Sequence, residues 1–235
     1  MSIRLDWDDL LNARDLGGLR AAGGEVRPGA LVRSDSLVRL TESGRAAMVA
    51  HGVTTIVDLR RAGELAEWPN PFRSHPGFRS LPLVERAPEH PEPRFGSVEA
   101  SYVDMLETFG PRVAAIVRGI AGAPPGGVLV HCAAGRDRTG VVVALALSVA
   151  GVDRSDIAED YALSRAWDDR MLEEWVLTQP ASDRDRLRRL YRIRPETMLA
   201  TLAALDDRYG GVTGYLAAVG VEDGVLERLR RRLVH

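Results

Sequence analysis

Val128-Leu129-Val130-His131-Cys132-Ala133-Ala134-Gly135-Arg136-Asp137-Arg138-Thr139-Gly140 is the stretch on which the reading of this chain turns. Its first four residues are an apolar, partly β-branched run, which predicts a buried strand. From Thr139 to Ala150 the chain is apolar nearly all round, which predicts a buried helix. Between strand and helix lies a tight loop containing one glycine. A strand, a tight loop and a helix start in succession point backbone N–H groups and the positive helix end into one concavity, a setting suited to a dianion. Cys132 opens that loop and Arg138 closes it. A field that gathers anions is also one in which a cysteine becomes a nucleophile. The planar fork of an arginine grips two phosphate oxygens at once, which lysine cannot do.

Working outward, Ala30-Leu31-Val32-Arg33-Ser34 reads as a short strand, and Val53 to Leu59 as a buried one. Thr41 to Gly52 reads as a helix with Thr41 as N-cap and Gly52 as its stop. Leu16 to Leu31 is glycine-rich and reads as turns and short strands. Seven prolines between 69 and 93 mark a loop with one short strand near Phe78 to Val84. Ser97 to Ala121 has helical apolar spacing broken at Gly110-Pro111. Helices are expected over 154–178, 183–192 and 195–209, with an amphipathic stretch to Leu233. Strands alternating with helices predict an α/β fold, a mostly parallel central sheet flanked by helices, with a helical C-terminal third. At 235 residues one domain is expected, 1–150 as the α/β core and 151–235 as a helical extension packed on it.

The composition narrows the function. Thirty-one basic residues against 33 acidic ones give a net charge of −2. That balance argues against a nucleic-acid or membrane-surface role driven by bulk charge. Every basic residue other than histidine is arginine, so no mechanism that needs a lysine applies. Cys132 is the one cysteine, which excludes an intrachain disulfide and a four-cysteine zinc site. His51, His75, His90 and His235 show no metal spacing, so neither metal nor cofactor is expected. No apolar run reaches membrane-span length, and the first nine residues carry three acidic ones with no leader-like apolar core. A cytoplasmic protein is the expectation.

The order His131-Cys132-x-x-Gly135-x-x-Arg138-Thr139-Gly140 resembles the signature of the cysteine-dependent protein tyrosine phosphatases. Gly135-Arg136-Asp137-Arg138-Thr139 is most similar to the bacterial and fungal branch with Gly-Lys-Asp-Arg-Thr, some members of which also accept phosphoserine and phosphoinositides. Asn12-Ala13-Arg14-Asp15-Leu16-Gly17-Gly18 resembles that branch's N-terminal motif. Asp58-Leu59-Arg60 with Glu64 resembles its Asp-Leu-Arg-x-x-x-Glu, and Arg33-Ser34 also fits. Arg136 departs from the branch's usual lysine; charge is kept, while reach and donor geometry change.

The resemblance implies a protein tyrosine phosphatase-like fold and a two-step mechanism without a metal. Cys132 forms a cysteinyl-phosphate, Arg138 and the backbone N–H groups of Ala133, Ala134, Gly135, Arg136, Asp137 and Arg138 hold the phosphoryl oxygens, and an acid protonates the leaving oxygen. Asp137 is the first candidate for that acid. Asp58 is the second, its alternative role being an ion pair with a loop arginine that steadies Arg138. Thr139 can offer its hydroxyl to the sulfur. His131 is read as ordering the loop, Arg14 and Asp15 as a pair bracing it, with contact between Arg14 and substrate as the alternative, and Asp35 as structural. Trp167, Met171 and Trp175 share a helical face and read as an interhelical seam. Arg184, Arg186, Arg188, Arg189, Arg192 and Arg194 read as a solvated face. The expected substrate is a phosphotyrosine protein or another phosphomonoester. A phosphoinositide or small-molecule phosphatase is the first rival, and a catalytically weak phosphate-binding module the second.

Overall fold

The computed structural model describes residues 2–85 and 97–234, without the side chains of 166–171. His90, His235, Trp167, Met171 and the prolines at 88, 91 and 93 therefore lie outside the described residues or side chains. The N-terminal part contains β1 (Ile3–Arg4), β2 (Arg14–Asp15), a β3 (Arg20–Ala21) to β4 (Gly24–Glu25) hairpin and β5 (Leu31–Ser34). Then come α1 (Glu42–Ala50), β6 (Val53–Asp58), α2 (Ala62–Glu67), β7 (Phe78–Ser80), α3 (Val98–Thr108), α4 (Gly110–Ala121), β8 (Gly127–His131) and α5 (Asp137–Ala150). The rest is helical: α6 (Arg154–Ala162), α7 (Arg165–Leu177), α8 (Arg184–Tyr191), α9 (Pro195–Tyr209), α10 (Val212–Ala218) and α11 (Asp223–Leu233).

Six strands form one sheet in the order β1-β2-β5-β8-β6-β7. The four from β5 to β7 run parallel, and β1 and β2 are antiparallel at one edge. Side chains alternate across a strand, and the two cores follow that rule. Leu31, Val57, Val128 and Val130 face the larger core, which α4, α5, α6, α9 and α11 complete. Val32, Ile56 and Leu129 face the smaller one, closed by Trp7, Leu37, Met48 and Phe72. The larger core draws on residues from Leu16 to Leu233, so the C-terminal helices are part of it.

Several expected elements appear as read. Thr41 Oγ1 accepts the Gly44 N–H at 3.0 Å and caps α1. Pro111 sits in the first turn of α4, and Gly110 packs where a Cβ would meet Val219 at 2.6 Å. The segment 154–178 divides at Leu163–Ser164 into α6 and α7, and the final stretch divides into α10 and α11 around Gly220, whose φ is 89°. Helix α2 is absent from the sequence reading. It is six residues long, has no fully buried residue, and is held at its start by Glu64 Oε2, which accepts from both the Arg61 N–H and Arg61 Nε at 2.9 Å.

Candidate active site

The C-terminal ends of β5, β6 and β8 lie side by side, with Ser34 opposite His131 and Asp58 opposite His131. Ligands of open parallel sheets bind at such an edge. Cys132 follows β8 directly, and its residue is 2% exposed. The loop then turns through Gly135 at φ 66°, where a Cβ would stand 2.4 Å from the Ser34 carbonyl oxygen. Only glycine fits there. Helix α5 begins at Asp137, two residues earlier than the apolar pattern indicates, so Asp137, Arg138 and Thr139 form its first turn.

Three successive loop carbonyls are tied outward. Ser36 N–H donates to Ala133 O at 2.9 Å, Asn12 Nδ2 to Ala134 O at 2.9 Å, and Arg33 Nη2 to Gly135 O at 2.7 Å. In a trans peptide the N–H points opposite to the C=O. Tying the carbonyls of 133, 134 and 135 outward therefore turns the N–H groups of 134, 135 and 136 to the other side, into the concavity. Such a nest of N–H groups with a helix N-terminus below it is an anion cradle.

The braces behind this loop are buried charges. Arg33 is fully buried and donates to Asp160 Oδ2 at 2.6 Å. Arg14 donates from Nε to Asp160 Oδ1 at 3.1 Å, and both arginines reach Ser164 Oγ, at 3.2 and 3.3 Å. Arg14 also bonds Asn12, the residue that holds Ala134. Burial alone would push the Asp160 carboxyl up, but Arg33 and Arg14 outweigh it and hold it at about 2. Asp35, buried at the end of β5, accepts the Asn12 N–H at 3.1 Å and so places Asn12.

Arg138 is clamped by Glu64, Nη1 to Oε2 at 2.7 Å and Nη2 to Oε1 at 2.9 Å. This corrects the expectation that Asp58 holds Arg138. Asp58 is wholly buried and spends its oxygens on Arg60 Nε and Nη2 and on Asn70 Nδ2. Burial would raise its pKa, but His131, Arg60 and Asn70 outweigh it and hold it at about 2. Burial likewise works against Glu64, and Arg138 and Arg61 hold it at about 2. Burial opposes the charge of Arg138, yet the neighbouring Cys132, Glu64 and Asp137 push its pKa up.

The remaining candidates are distributed as follows. Asp137 is paired with Arg136 Nε at 2.9 and 3.0 Å and accepts the Tyr102 hydroxyl at 2.5 Å. Tyr102 in turn meets Tyr161 Oη at 2.9 Å. About a third of the Asp137 side chain is exposed. His131 lies beneath the loop; burial pushes its pKa down, and the neutral ring donates from Nδ1 to Cys132 O and accepts at Nε2 from Asn70, each at 3.0 Å. Thr139 Oγ1 is buried with no hydrogen-bond partner among the described residues.

The expected pairing of Arg14 with Asp15 is not formed. Neighbours on one strand face opposite sides: Arg14 faces α6, and Asp15 faces the N–H groups of Gly17 and Gly29 and the ring of His51. Trp175 packs edge-on to Tyr191 across the α7–α8 seam, with ring centroids 5.3 Å apart. Arg188 pairs with Glu173 and Asp185, as a solvated face does. Glu64, Arg33, Asp160 and Tyr102 are site residues to which the sequence reading assigned no role. For Arg33 a signal was present, a charge inside an apolar strand.

The acid sensitivity of this arrangement follows from its carboxylates. Asp58, Glu64 and Asp160, held at about 2, lie below their values of about 4 in an unfolded chain. Depressed folded-state values mean that their stabilisation is complete above about pH 5 and is lost as pH falls from about 4 through about 2, on the order of 2 kcal/mol each. His131, depressed by burial, adds an earlier and shallower loss below about pH 6.5, because only the unfolded ring takes up a proton there. Urea midpoints measured from pH 8 to pH 2 should fall slightly near pH 6 and steeply below pH 4. A midpoint that rises on acidification would contradict the pairing.

A thiol at the mouth of an N–H cradle, with a clamped arginine fork beside it, defines the class of cysteine-dependent phosphatases. The model of the tyrosine phosphatase family matches residues 5–235, and the chain belongs to that family. A "Tyrosine-protein phosphatase" of Nostoc commune is 32% identical over 87% of this chain and 74% of its own length. The "Triple specificity protein phosphatase PtpB" of Mycobacterium tuberculosis is 29% identical over 93% and 95%. A "Putative tyrosine-protein phosphatase" of Cupriavidus necator is 30% identical over 90% and 82%. The chain is thus a phosphatase, a hydrolase acting on a phosphorylated substrate. Among the described residues no helix is long and apolar enough to cross a membrane, and no group of three or more His, Cys, Asp or Glu is placed to hold a metal ion.

Proposed function

We propose that the whole chain is one catalytic unit that hydrolyses phosphotyrosine in proteins, with Cys132 as nucleophile and Asp137 as acid and base. The observation that carries this reading is the Glu64–Arg138 clamp beside Cys132 on a loop whose carbonyls are turned away. Cys132 Sγ attacks phosphorus in line as the bond to the leaving oxygen breaks, and Asp137 gives that oxygen its proton. Water then attacks phosphorus, the S–P bond breaks, and Asp137 takes a proton from the water. Arg138 and the loop N–H groups hold the equatorial oxygens throughout. The unpartnered Thr139 hydroxyl supports a role as donor to the departing thiolate.

In the free site, burial would raise the Asp137 pKa, but Arg136 and the Tyr102 hydroxyl outweigh it and lower it. An arriving dianion puts like charge beside Asp137 and draws on Arg136, which raises that pKa when the acid is needed. Asp58 has no exposed face from which to meet a leaving group. The solitary reduced thiol suits a cytoplasmic setting, and the chain's balanced charge suits a site that recognises phosphate locally rather than nucleic acid or a membrane surface. The name of the mycobacterial relative supports a second reading in which serine, threonine or lipid phosphomonoesters are also accepted.

Turnover of p-nitrophenyl phosphate in EDTA, followed by a panel of phosphopeptides and phosphoinositides, tests both readings; a mere phosphate-binding module would release nothing. The acid is tested by leaving-group dependence. Asp137→Asn is expected to cost little with p-nitrophenyl phosphate, whose oxygen leaves unaided, and roughly 10²–10⁴-fold with phenyl or alkyl phosphate. Asp58→Asn, which touches the loop only through His131, should affect both substrates alike. The comparison belongs on the phosphorylation step, since hydrolysis of the intermediate can mask it for good substrates. The opposite pattern would exchange the two assignments.

A further inference from the structure

At the opposite edge of the sheet, the N-terminal ends of β5, β6 and β8 border an open cavity of about 560 Å³. Four to six residues of strand separate it from the catalytic loop, roughly 13–20 Å at about 3.3 Å per residue. Arg27, Arg228, Arg231, Arg232 and His51 line it, and no Asp or Glu among the described residues does. In a chain whose net charge is −2, this is a strong local excess of positive charge.

The bonds of these arginines leave that excess standing. Arg27 Nη2 donates to the carbonyls of Arg231, at 3.1 Å, and Arg232. Arg232 donates to the carbonyls of Ala123, Pro124 and Gly126. Both side chains are thus fixed by neutral acceptors, and the Nε of each is buried with no partner among the described residues. Arg228 and Arg231 are exposed at the rim, where Arg228 lies near enough to Glu222 to join Arg118 in lowering its pKa. The carboxylate nearest Arg231 is Glu227, at 3.4 Å and shared equally with Arg230. His51 leans on Asp15 at 2.9 Å. Burial and the neighbouring Arg27 both lower the Arg232 pKa, as expected of cations packed without an anion. Gly52, at positive φ with open space where a Cβ would stand, leaves part of the lining as bare backbone to which a ligand can approach closely.

We propose that this cavity binds a small soluble polyphosphate, an anion with at least two linked or neighbouring phosphate groups. Guanidinium forks pair bidentately with phosphate oxygens. Two fixed cations inside and two exposed ones at the rim call for more than one dianionic group, and the volume is that of a small-molecule site rather than of a single phosphate.

The test titrates inorganic tripolyphosphate, with orthophosphate as control, into the Cys132→Ser chain at 0.15 M sodium chloride by calorimetry. Tripolyphosphate should bind at this site with at least tenfold higher affinity than orthophosphate does. Combining Arg228→Gln and Arg231→Gln should weaken it at least tenfold, whereas adding Arg138→Met should leave it unchanged. Amide shifts of Gly29, Gly52 and Gly127 on titration supply a measurement that needs no arginine variant. Absence of binding at millimolar tripolyphosphate would overturn the proposal. So would equal affinity for orthophosphate, loss of binding through Arg138→Met alone, or amide shifts confined to residues 132–138.

Discussion

Cys132→Ser is expected to lower turnover of p-nitrophenyl phosphate by about 10⁴-fold or more, on the scale of removing a covalent nucleophile from other hydrolases. The serine hydroxyl is neutral at pH 7, and a carboxylate such as Asp137 is far too weak a base to ionise it. His131, the nearest imidazole in sequence, is buried beneath the loop and donates to the Cys132 carbonyl rather than facing the reacting atom. The cradle itself is built from backbone and from Asn12, Arg33 and Ser36, none of which the substitution touches. Affinity for orthophosphate should therefore stay within a few-fold of wild type while catalysis disappears. Iodoacetate should inactivate the wild-type enzyme, and phosphate should protect it. Substantial turnover by the serine variant would remove Cys132 from the mechanism.

Arg138→Lys is expected to cost about 10²–10³-fold in kcat/KM, roughly 3–4 kcal/mol, the magnitude of losing an oxyanion donor. Charge survives the change, but the fork does not. A lysine ammonium cannot satisfy both Glu64 oxygens and still present two parallel donors to phosphate. Glu64→Gln isolates the positioning component: Arg138 keeps its charge and fork but loses a charge-assisted clamp, and a smaller loss, on the order of tenfold, should follow. Arg138→Lys within threefold of wild type would contradict the role assigned to the fork, and a Glu64→Gln loss exceeding that of Arg138→Lys would place the chemistry on Glu64 instead.

The reach of sequence reasoning here divides by distance along the chain. The strand, loop and buried helix around Cys132 were legible because hydrophobic pattern, glycine and charge all occur within one short segment. The Thr41 cap and the break at Gly110-Pro111 were legible for the same reason. What the sequence concealed are partnerships between remote segments. Glu64 belongs to a helix too short and too exposed to announce itself by periodicity, and it is the clamp on Arg138 that gives the helix its purpose. Asp58 invited the wrong assignment because it ends the neighbouring strand; its partner Arg60 lies two residues further on. Arg14 and Asp15 look like an ion pair in sequence, but strand geometry sends them to opposite faces, and position alone argued against the pairing.

Arg33 and Arg14 meet Asp160 across 127 and 146 residues of chain. During synthesis the catalytic loop precedes, by one helix, the carboxylate that neutralises its two braces. Until Asp160 emerges, two arginines destined for the interior have no counter-ion, and burying them is unfavourable. A nascent chain ending near residue 150 thus contains the whole loop yet no stable place for Arg33, the donor that holds the Gly135 carbonyl. The loop's braces therefore depend on α6: a chain truncated before Asp160 leaves Arg33 and Arg14 buried without a counter-ion, and it is expected to lose its activity rather than merely its stability margin.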